Sequence, residues 1–337
     1  MASRAPQPVV AAPRRWLALL VLGTVLLSGA GPGVWASELF PDANSLVKPG
    51  MSQESINYGG IARSWWRFLP ATHDYNRACP LMIVLHGGFC SGLGMSSLTE
   101  HGFEYVADTE HTDLVVVYPE SVDKNWHDDR ASIDSTAVTG NIDDVGFIRS
   151  VIRQTENETP IDPKRIFVTG ISNGAMMCYR LAREMPDTIA VIAPVAGLLP
   201  VEARTLPWPQ PVSVILFAGT EDPLMPYNGG VVGSANSPRG EVLSVTDTIS
   251  FILAQDHLVD QNRELPSGEH VSDGTTTWRA RAYGVNQCEV DFYEIIGGGH
   301  TWPGGRQLLL QSQVGRTCQS LNACQVIWNF CRLHPHP

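Results

Sequence analysis

The sequence lacks the patterns that mark fibrous and linker proteins. It has no Gly-x-Gly repeat, no heptad run and no polar low-complexity tract, which excludes collagen, a coiled coil and a linker protein. Charged residues are also few, at 17 % of the 337 residues, whereas hydrophobic residues make up 43 %. That hydrophobic share is normal for a folded globular protein and too high for a disordered one.

Positive charge is scarce. The chain has 34 acidic and 23 basic side chains, which gives a formal net charge of −11. A net-negative chain has no electrostatic attraction to a phosphate backbone, so we expect no nucleic-acid partner. Nothing in the sequence indicates the oligomeric state.

Long hydrophobic runs are missing too, apart from one near the N-terminus. Two arginines precede the apolar stretch 16–30, which is shorter than the roughly 20 residues that a bilayer requires. Val34 and Ala36 then occupy the two positions before a cleavage site that must be small. We therefore predict a signal peptide at 1–36, cleaved after Ala36, and a secreted or periplasmic protein that is not inserted in a membrane.

The seven cysteines are not spaced as a structural zinc site requires. Such a site needs two closely spaced C-x-x-C or C-x-x-H pairs, which the sequence does not contain. We expect no metal and no cofactor. An odd number of cysteines leaves at least one unpaired in an oxidising compartment. Cys178, inside an apolar helical pattern, is our choice for it, and the pairings Cys79–Cys90 and Cys318–Cys324 are guesses.

Short apolar runs alternate with helical patterns along the chain, and runs without clean alternation indicate strands buried on both faces. The predicted strands are 81–85, 114–118, 165–169, 212–217 and 290–296, and the predicted helices are 98–111, 141–155, 173–185, 244–254 and 323–333. This order predicts an α/β fold with a mostly parallel, doubly wound sheet and helices on both faces. Residues near 64–69 are expected to add antiparallel edge strands. No linker interrupts 37–337, which favours a single domain.

The third predicted strand leads into a G-x-S-x-G sequence that spans 170–174. Between a strand and a helix, this pattern is typical of a turn so sharp that its flanking positions must be glycine, and the turn lifts the serine hydroxyl above the sheet. The N–H of Asn173, at the start of the helix, points to the place where an oxyanion would form. The pattern predicts Ser172 as a nucleophile and Asn173 as an oxyanion donor.

A serine nucleophile needs a base and an acid that orients the base. In α/β sheets, reactive groups collect where the chain leaves the carboxyl ends of the strands. Asp222 follows the fourth predicted strand, and we favour it over Glu221 because Pro223 can fix its turn, although Asp before Pro also commonly starts an ordinary turn. His300 follows the fifth strand and a glycine run, which would let the backbone pack closely beneath a substrate.

A His-Gly-Gly sequence after the first predicted strand ends at Gly88. Small residues there let an acyl oxygen approach, and a backbone N–H can donate the second hydrogen bond to the oxyanion. We choose the N–H of Gly88, with Phe89 as the alternative. We interpret His86 as structural rather than catalytic.

These segments resemble the α/β-hydrolase superfamily and, within it, the secreted polyhydroxybutyrate depolymerase and feruloyl esterase group, which is similar to carbohydrate esterase family 1. The similar segments are 84–88, 143–148, 170–177, 219–227, 298–305 and 326–330, and they span about residues 60–335. The resemblance implies a serine carboxylic-ester hydrolase that acts on hydroxyalkanoate oligomers or on feruloyl- or acetyl-type esters. Ser172 would be its nucleophile, His300 its general acid and base, and Asp222 the orienting acid, with Gly88 and Asn173 as the oxyanion hole.

Four further residues have a structural alternative. Trp126 and Trp302 are candidates for the walls of the acyl site, because aromatic walls suit an apolar acyl group, or they are ordinary packing. Asp143 and Asp144 belong to a segment similar to the family, and we expect them to cap a helix. Two other functions remain open: a serine peptidase with the same triad, and a catalytically inactive hydrolase-like binding protein.

Overall fold

A computed structural model describes residues 50–109, 112–131, 135–234, 237–255, 260–264, 273–284 and 288–337. The predicted signal peptide lies outside these ranges. Among the helices that the model does describe, none has the length and apolar character needed to cross a membrane.

Ten of the described strands form one sheet in the order β1-β2-β4-β3-β5-β6-β7-β12-β11-β10. These strands are β1 (Met51–Tyr58), β2 (Ile61–Phe68), β3 (Cys79–Leu85), β4 (Val115–Pro119), β5 (Ile161–Ile171), β6 (Val191–Val195), β7 (Ser213–Gly219), β10 (Asp260–Glu264), β11 (Thr276–Tyr283) and β12 (Glu289–Ile296). The strands from β4 to β12 in that order pair in parallel, and the outer strands pair antiparallel. Outside the sheet, β8 (Gly230–Ser234) and β9 (Ser237–Val242) form a separate antiparallel hairpin.

The described α-helices connect the strands and cover both faces of the sheet. They are α1 (Gly92–Leu98), α2 (Gly102–Thr109), α3 (Thr136–Thr139), α4 (Asp144–Glu158), α5 (Asn173–Glu184), α6 (Val245–Gln255), α7 (Gln311–Val314) and α8 (Ala323–Cys331). Along β3, Leu81 and Ile83 pack into a cluster shared with α4, α5 and α6. The alternate residues Met82 and Val84 pack into a second cluster shared with α1, α2 and α8. The predicted doubly wound α/β fold is therefore confirmed.

Two predicted elements differ from the structure. The predicted helix 98–111 begins only at Gly102, as α2, because Glu100 and His101 have φ angles of 53° and 59°, in the left-handed region that a helix cannot continue through. The separate helix α1, which ends at Leu98, was not predicted. The antiparallel strand near 64–69 is present as β2, but β1 lies outside it and forms the edge. The runs identified in the sequence also omit β6, whose Pro194 cannot donate to a strand ladder.

The two acidic residues at the start of α4 have different roles. Asp143 is the N-cap and accepts a hydrogen bond from the Gly146 N–H at 2.8 Å, as expected. Asp144 is fully buried, pairs with Arg63 of β2 at 2.7 Å, and accepts the His127 N–H at 2.8 Å. The expectation that Asp144 also caps the helix was therefore wrong, because its carboxylate instead joins β2 to the loop after β4.

Replacing Arg63 by Gln is expected to destabilise the fold by about 3 kcal/mol, because it leaves the buried carboxylate of Asp144 without its cation. Chemical denaturation would measure the change in the free energy of unfolding. The exposed Arg149 is the matched control, and Arg149→Gln should change stability by less than about 0.5 kcal/mol. Equal effects of the two variants would contradict this role for the buried pair.

Candidate active site

Ser172 lies in the sharp turn between β5 and α5, with φ 57° and ψ −118°, a conformation that is strained for a residue other than glycine. Its N–H donates a hydrogen bond to the carbonyl of Val195 at 3.0 Å. The turn packs directly on β3, where a Cβ atom on Gly174 would lie 2.5 Å from the carbonyl oxygen of Leu85 and one on Gly170 would lie 2.8 Å from the same oxygen. Glycine at both positions therefore allows the turn to seat against the sheet.

His300 and Asp222 form a hydrogen bond of 2.8 Å between Nδ1 and Oδ2. The other carboxylate oxygen of Asp222 accepts the N–H groups of Leu224 at 2.8 Å and Met225 at 2.7 Å. Three hydrogen bonds thus fix this carboxylate, whereas the side chain of Glu221 is exposed. Because Nδ1 of His300 is held by Asp222, Nε2 is the nitrogen left to exchange a proton with another group.

The glycine run before His300 brings two loops together. β7 and β12 are parallel neighbours, and a Cβ atom on Gly219, at the end of β7, would lie 2.3 Å from the carbonyl oxygen of Gly298. One on Gly299 would lie 2.1 Å from the carbonyl oxygen of Val314. The run therefore packs against the protein's own backbone, which brings the two loops together. The expectation that it lies beneath a substrate stays a prediction.

A cavity of about 520 Å³ opens beside this pair. Ser172, His300, Gly88 and Asn173 all line it. Much of the remaining wall is apolar, from Leu98, Ile171, Leu224, Val232, Leu308, Leu309 and Val314. The structure therefore brings the predicted nucleophile, base and oxyanion donors to one cavity, with Asp222 behind His300.

The two predicted oxyanion donors are neighbours. A Cβ atom on Gly88 would lie 3.9 Å from the Cβ of Asn173. Within the described chain, no protein group accepts a hydrogen bond from either backbone N–H. The alternative donor, the N–H of Phe89, donates to the carbonyl of Lys124 at 2.8 Å. The geometry therefore favours Gly88 over Phe89.

The side chain of Asn173 connects the start of α5 to the loop after β4. Its Oδ1 accepts the N–H of Trp126 at 2.7 Å, and its Nδ2 donates to the Trp126 carbonyl at 3.1 Å and to Asp128 Oδ2 at 2.5 Å. Asp128 in turn forms an ion pair of 2.6 Å with Arg130, and both side chains are buried. Sequence reasoning missed this network, because its loop residues have no recognisable spacing.

Trp126 and Trp302 do not line the cavity. Both are buried, with 0 % and 1 % of their surface exposed. The indole N–H of Trp126 donates to the carbonyl of His86 at 2.9 Å, and Trp302 packs edge-on against Phe103. The assignment of these residues to an acyl site is thus not supported, and the alternative of ordinary packing describes both.

His86 is buried just after the end of β3, and each of its two ring nitrogens contacts a backbone group. Nδ1 lies 2.8 Å from the carbonyl of Gly87, and Nε2 accepts the N–H of Ser121 at 3.2 Å. Burial lowers the pKa of His86 to about 4, so the ring is neutral at pH 7. A neutral ring tied to two backbone groups fits the structural role that the sequence suggested.

None of the seven cysteines, which all lie in described segments, is in a disulfide. Neither guessed pair is formed. Cys79 begins β3 and Cys90 follows the opposite end of that strand. Cys318 contacts Thr277, whereas Cys324 packs beneath α2. Cys178 is buried in α5, where its thiol donates to the carbonyl of Gly174.

Away from the cavity, His73, Cys79 and Asp113 place one ligand-type atom each within 4.8 Å of one another. The atom Nδ1 of His73 is hydrogen-bonded to the carboxylate of Asp113. Structural zinc sites use four ligands, and this cluster supplies three. The expectation that the protein holds no metal stays a prediction.

The sequence is similar to curated esterases, although no family model matches it. It is 30 % identical over 260 residues to the putative esterase NocK of Nocardia uniformis subsp. tsuyamanensis, covering 74 % of this chain and 73 % of that protein. It is 27 % identical to feruloyl esterase B of Piromyces equi, covering 48 % and 30 %. It is 26 % identical to the poly(3-hydroxybutyrate) depolymerase of Ralstonia pickettii, covering 50 % and 33 %. The chain thus matches less than half the length of the last two relatives.

The fold is similar to that of a solved structure of acetyl xylan esterase from Aspergillus awamori. The TM-score is 0.51, and the alignment covers 74 % of this chain and 94 % of the other at 14 % identity. At that identity the likeness supports the α/β-hydrolase fold alone.

Replacing Gly174 by Ala is expected to displace the serine turn, because the new Cβ would lie 2.5 Å from a backbone oxygen of β3. Misplacing a reactive group by about 1 Å can reduce its reaction rate about a hundredfold. We therefore expect labelling of Ser172 by a fluorophosphonate probe to slow by at least about tenfold.

Gly59→Ala is the control, because Gly59 lies in the turn between β1 and β2, does not line the cavity, and a Cβ there would have nothing within 4 Å. Its φ of 59° strains an alanine, but only within that turn. This variant should label at the wild-type rate. Unchanged labelling of Gly174→Ala would contradict the requirement for glycine at the serine turn.

Proposed function

The chain belongs to the polyhydroxybutyrate depolymerase and feruloyl esterase group of the α/β-hydrolase superfamily, and we propose that this carboxylic-ester hydrolase works through Ser172, His300 and Asp222. The observation that carries the assignment is the hydrogen bond from His300 to Asp222 at one wall of the cavity that Ser172 also lines. A serine, an imidazole and a carboxylate in this order form the machinery that cleaves acyl bonds.

The first half of the reaction forms an acyl-serine. Nε2 of His300 accepts the proton of the Ser172 hydroxyl as Oγ attacks the carbonyl carbon of the ester. The oxyanion of the tetrahedral intermediate accepts hydrogen bonds from the N–H groups of Gly88 and Asn173, each of which is worth about 3 kcal/mol of barrier in such sites. The carbon–oxygen bond to the alcohol then breaks, and His300 donates its proton to the departing alcohol.

The second half releases the acid. Nε2 of His300 accepts a proton from a water molecule, whose oxygen attacks the acyl carbon. The same two N–H groups stabilise the second oxyanion. The bond to Oγ then breaks, Ser172 regains its proton from His300, and the carboxylic acid leaves. Asp222 stays ionised throughout and stabilises the positive imidazole through the bond to Nδ1.

The mostly apolar cavity supports small to medium-sized acyl groups, such as hydroxyalkanoate oligomers or feruloyl- and acetyl-type esters. The N-terminal sequence supports export with cleavage after Ala36, followed by a single catalytic domain over 37–337. A secreted enzyme with such a cavity would act on extracellular or periplasmic esters.

Ser172→Ala is expected to lower the kcat for p-nitrophenyl butyrate by about 10⁴-fold or more, because the variant cannot form the acyl intermediate. Release of p-nitrophenol measures the rate, and a thermal melt checks that the fold is retained. The exposed Ser55, in β1, is the matched control, and Ser55→Ala should turn over at the wild-type rate. Full activity of Ser172→Ala would end the assignment of the nucleophile.

Asp222→Asn is expected to lower kcat by about 10³-fold or more, because an amide can neither fix the reactive tautomer of His300 nor stabilise the imidazolium. The neighbouring carboxylate provides the control, and Glu221→Gln should retain most of the activity. Both variants would be assayed with p-nitrophenyl butyrate. A larger loss in Glu221→Gln than in Asp222→Asn would show that the wrong acid had been assigned.

A further inference from the structure

Arg239 extends from the β8–β9 hairpin into the wall of the catalytic cavity. Its Nη2 atom lies 3.6 Å from where a Cβ atom on Gly88 would be, so the guanidinium is adjacent to the oxyanion hole. Its Cζ lies 4.4 Å from the centre of the Phe89 ring, and Nη2 donates to Oδ1 of Asn125 at 2.5 Å. Stacking on a ring and a single amide acceptor hold the planar group in place.

No carboxylate of the described chain forms an ion pair with Arg239. Asp128 is the carboxylate whose charge acts on Arg239, but it is already paired with another cation. It accepts hydrogen bonds from Nε of Arg130 at 3.0 Å and from Nη2 of Arg130 at 2.6 Å, and a further one from Asn173. Burial, followed by the charge of Arg130, lowers the pKa of Arg239. The cluster of Asp128, Arg130 and Arg239 therefore carries an excess of one positive charge that the described protein does not neutralise.

The other two arginines of the cavity wall have carboxylate partners. The described lining includes Arg130, Arg239 and Arg306 but no aspartate or glutamate. Arg130 pairs with Asp128 at 2.6 Å and Arg306 pairs with Glu100 at 3.6 Å, both outside that lining. Within the described chain, Arg239 is therefore the arginine of the wall that lacks a carboxylate partner. A half-buried cation without a counter-ion costs solvation free energy, and a cavity that retains one is suited to a ligand that brings the negative charge.

We propose that Arg239 binds a carboxylate of the substrate, so that the enzyme favours esters with a free carboxylate close to the scissile bond. The inference rests on the proposed ester hydrolysis. A guanidinium presents parallel N–H donors that match the two oxygens of a carboxylate. Because Arg239 is adjacent to the oxyanion hole, the bound carboxylate has to lie a few atoms from the reacting carbonyl.

Acid-terminated hydroxyacid oligomers satisfy this requirement. In the dimer of 3-hydroxybutyrate, the free carboxylate lies on the alcohol side, a short methylene link away from the carbon that carries the ester oxygen. Hydrolysis of this dimer releases two hydroxyacid molecules, and the carboxylate leaves with the alcohol. The methyl ester of the same dimer has nearly the same shape without the charge. Because it contains a second ester bond, only cleavage of the internal bond is counted, from the initial rate at which methyl 3-hydroxybutyrate forms.

The test compares kcat/KM for the 3-hydroxybutyrate dimer as its free acid and as its methyl ester at neutral pH. The wild-type enzyme is expected to favour the acid by about tenfold or more, which corresponds to about 1.4 kcal/mol. In Arg239→Gln the ratio of the two kcat/KM values should fall to near unity, with the loss concentrated on the acid. Arg239→Lys keeps the charge without the forked donors and should give an intermediate ratio.

Two arginines serve as controls for total charge. Arg306→Gln removes a cation at the same cavity, and Arg332→Gln removes an exposed cation from the residue after α8. Both variants should keep the wild-type ratio. Collapse of the ratio in Arg306→Gln but not in Arg239→Gln would overturn the assignment of the anion site to Arg239.

Failure of this inference differs from failure of the proposed function. Equal kcat/KM values for acid and methyl ester in the wild-type enzyme, together with hydrolysis of p-nitrophenyl butyrate, would overturn the anion site and leave the esterase mechanism intact. If Arg239→Gln lowered kcat/KM equally for both dimer substrates, Arg239 would instead have a structural role, holding Phe89 and Asn125 in place. No hydrolysis of any ester would contradict the proposed function itself.

Discussion

The candidate active site depends on backbone contacts so close that a single Cβ atom would break them. Gly174 seats the serine turn on the carbonyl of Leu85, and Gly219 lets the end of β7 touch Gly298. The first contact fixes Ser172 above the sheet, and the second brings the loop of Asp222 to the loop of His300. Close contact between strand exits, more than any side-chain interaction, is what gathers these groups around one cavity.

The sequence predicts those parts of the protein that local chemistry determines. Continuous apolar runs predicted the buried parallel strands other than β6, and glycines around Ser172 predicted a turn, because each signal lies within a few residues. The late start of α2 at Gly102 was not predictable in this way, since Glu100 carries no residue-type signal for a left-handed backbone and a single histidine carries only a weak one. The positions of Asp222 and His300 could be proposed because both directly follow strands.

Contacts between distant segments of the chain could not be predicted from the sequence. Trp126 is buried because its backbone and indole N–H groups donate to Asn173 and to the carbonyl of His86, two contacts that its place in the sequence does not reveal. Arg239 lies in a hairpin with no motif, and its importance depends on a charge balance with Arg130 that only the folded chain reveals. These contacts join residues 40 to 114 positions apart, so no spacing rule identifies them.

The β8–β9 hairpin lies outside the ten-stranded sheet, yet it contributes Val232 and Arg239 to the cavity wall. Mutations in this hairpin can alter which molecules enter without disturbing the strands that carry the reacting groups. Selectivity and chemistry are therefore encoded in separable parts of the chain. Natural variation or directed evolution confined to this hairpin would shift the preference of the enzyme between charged and neutral esters while its hydrolytic step stays the same.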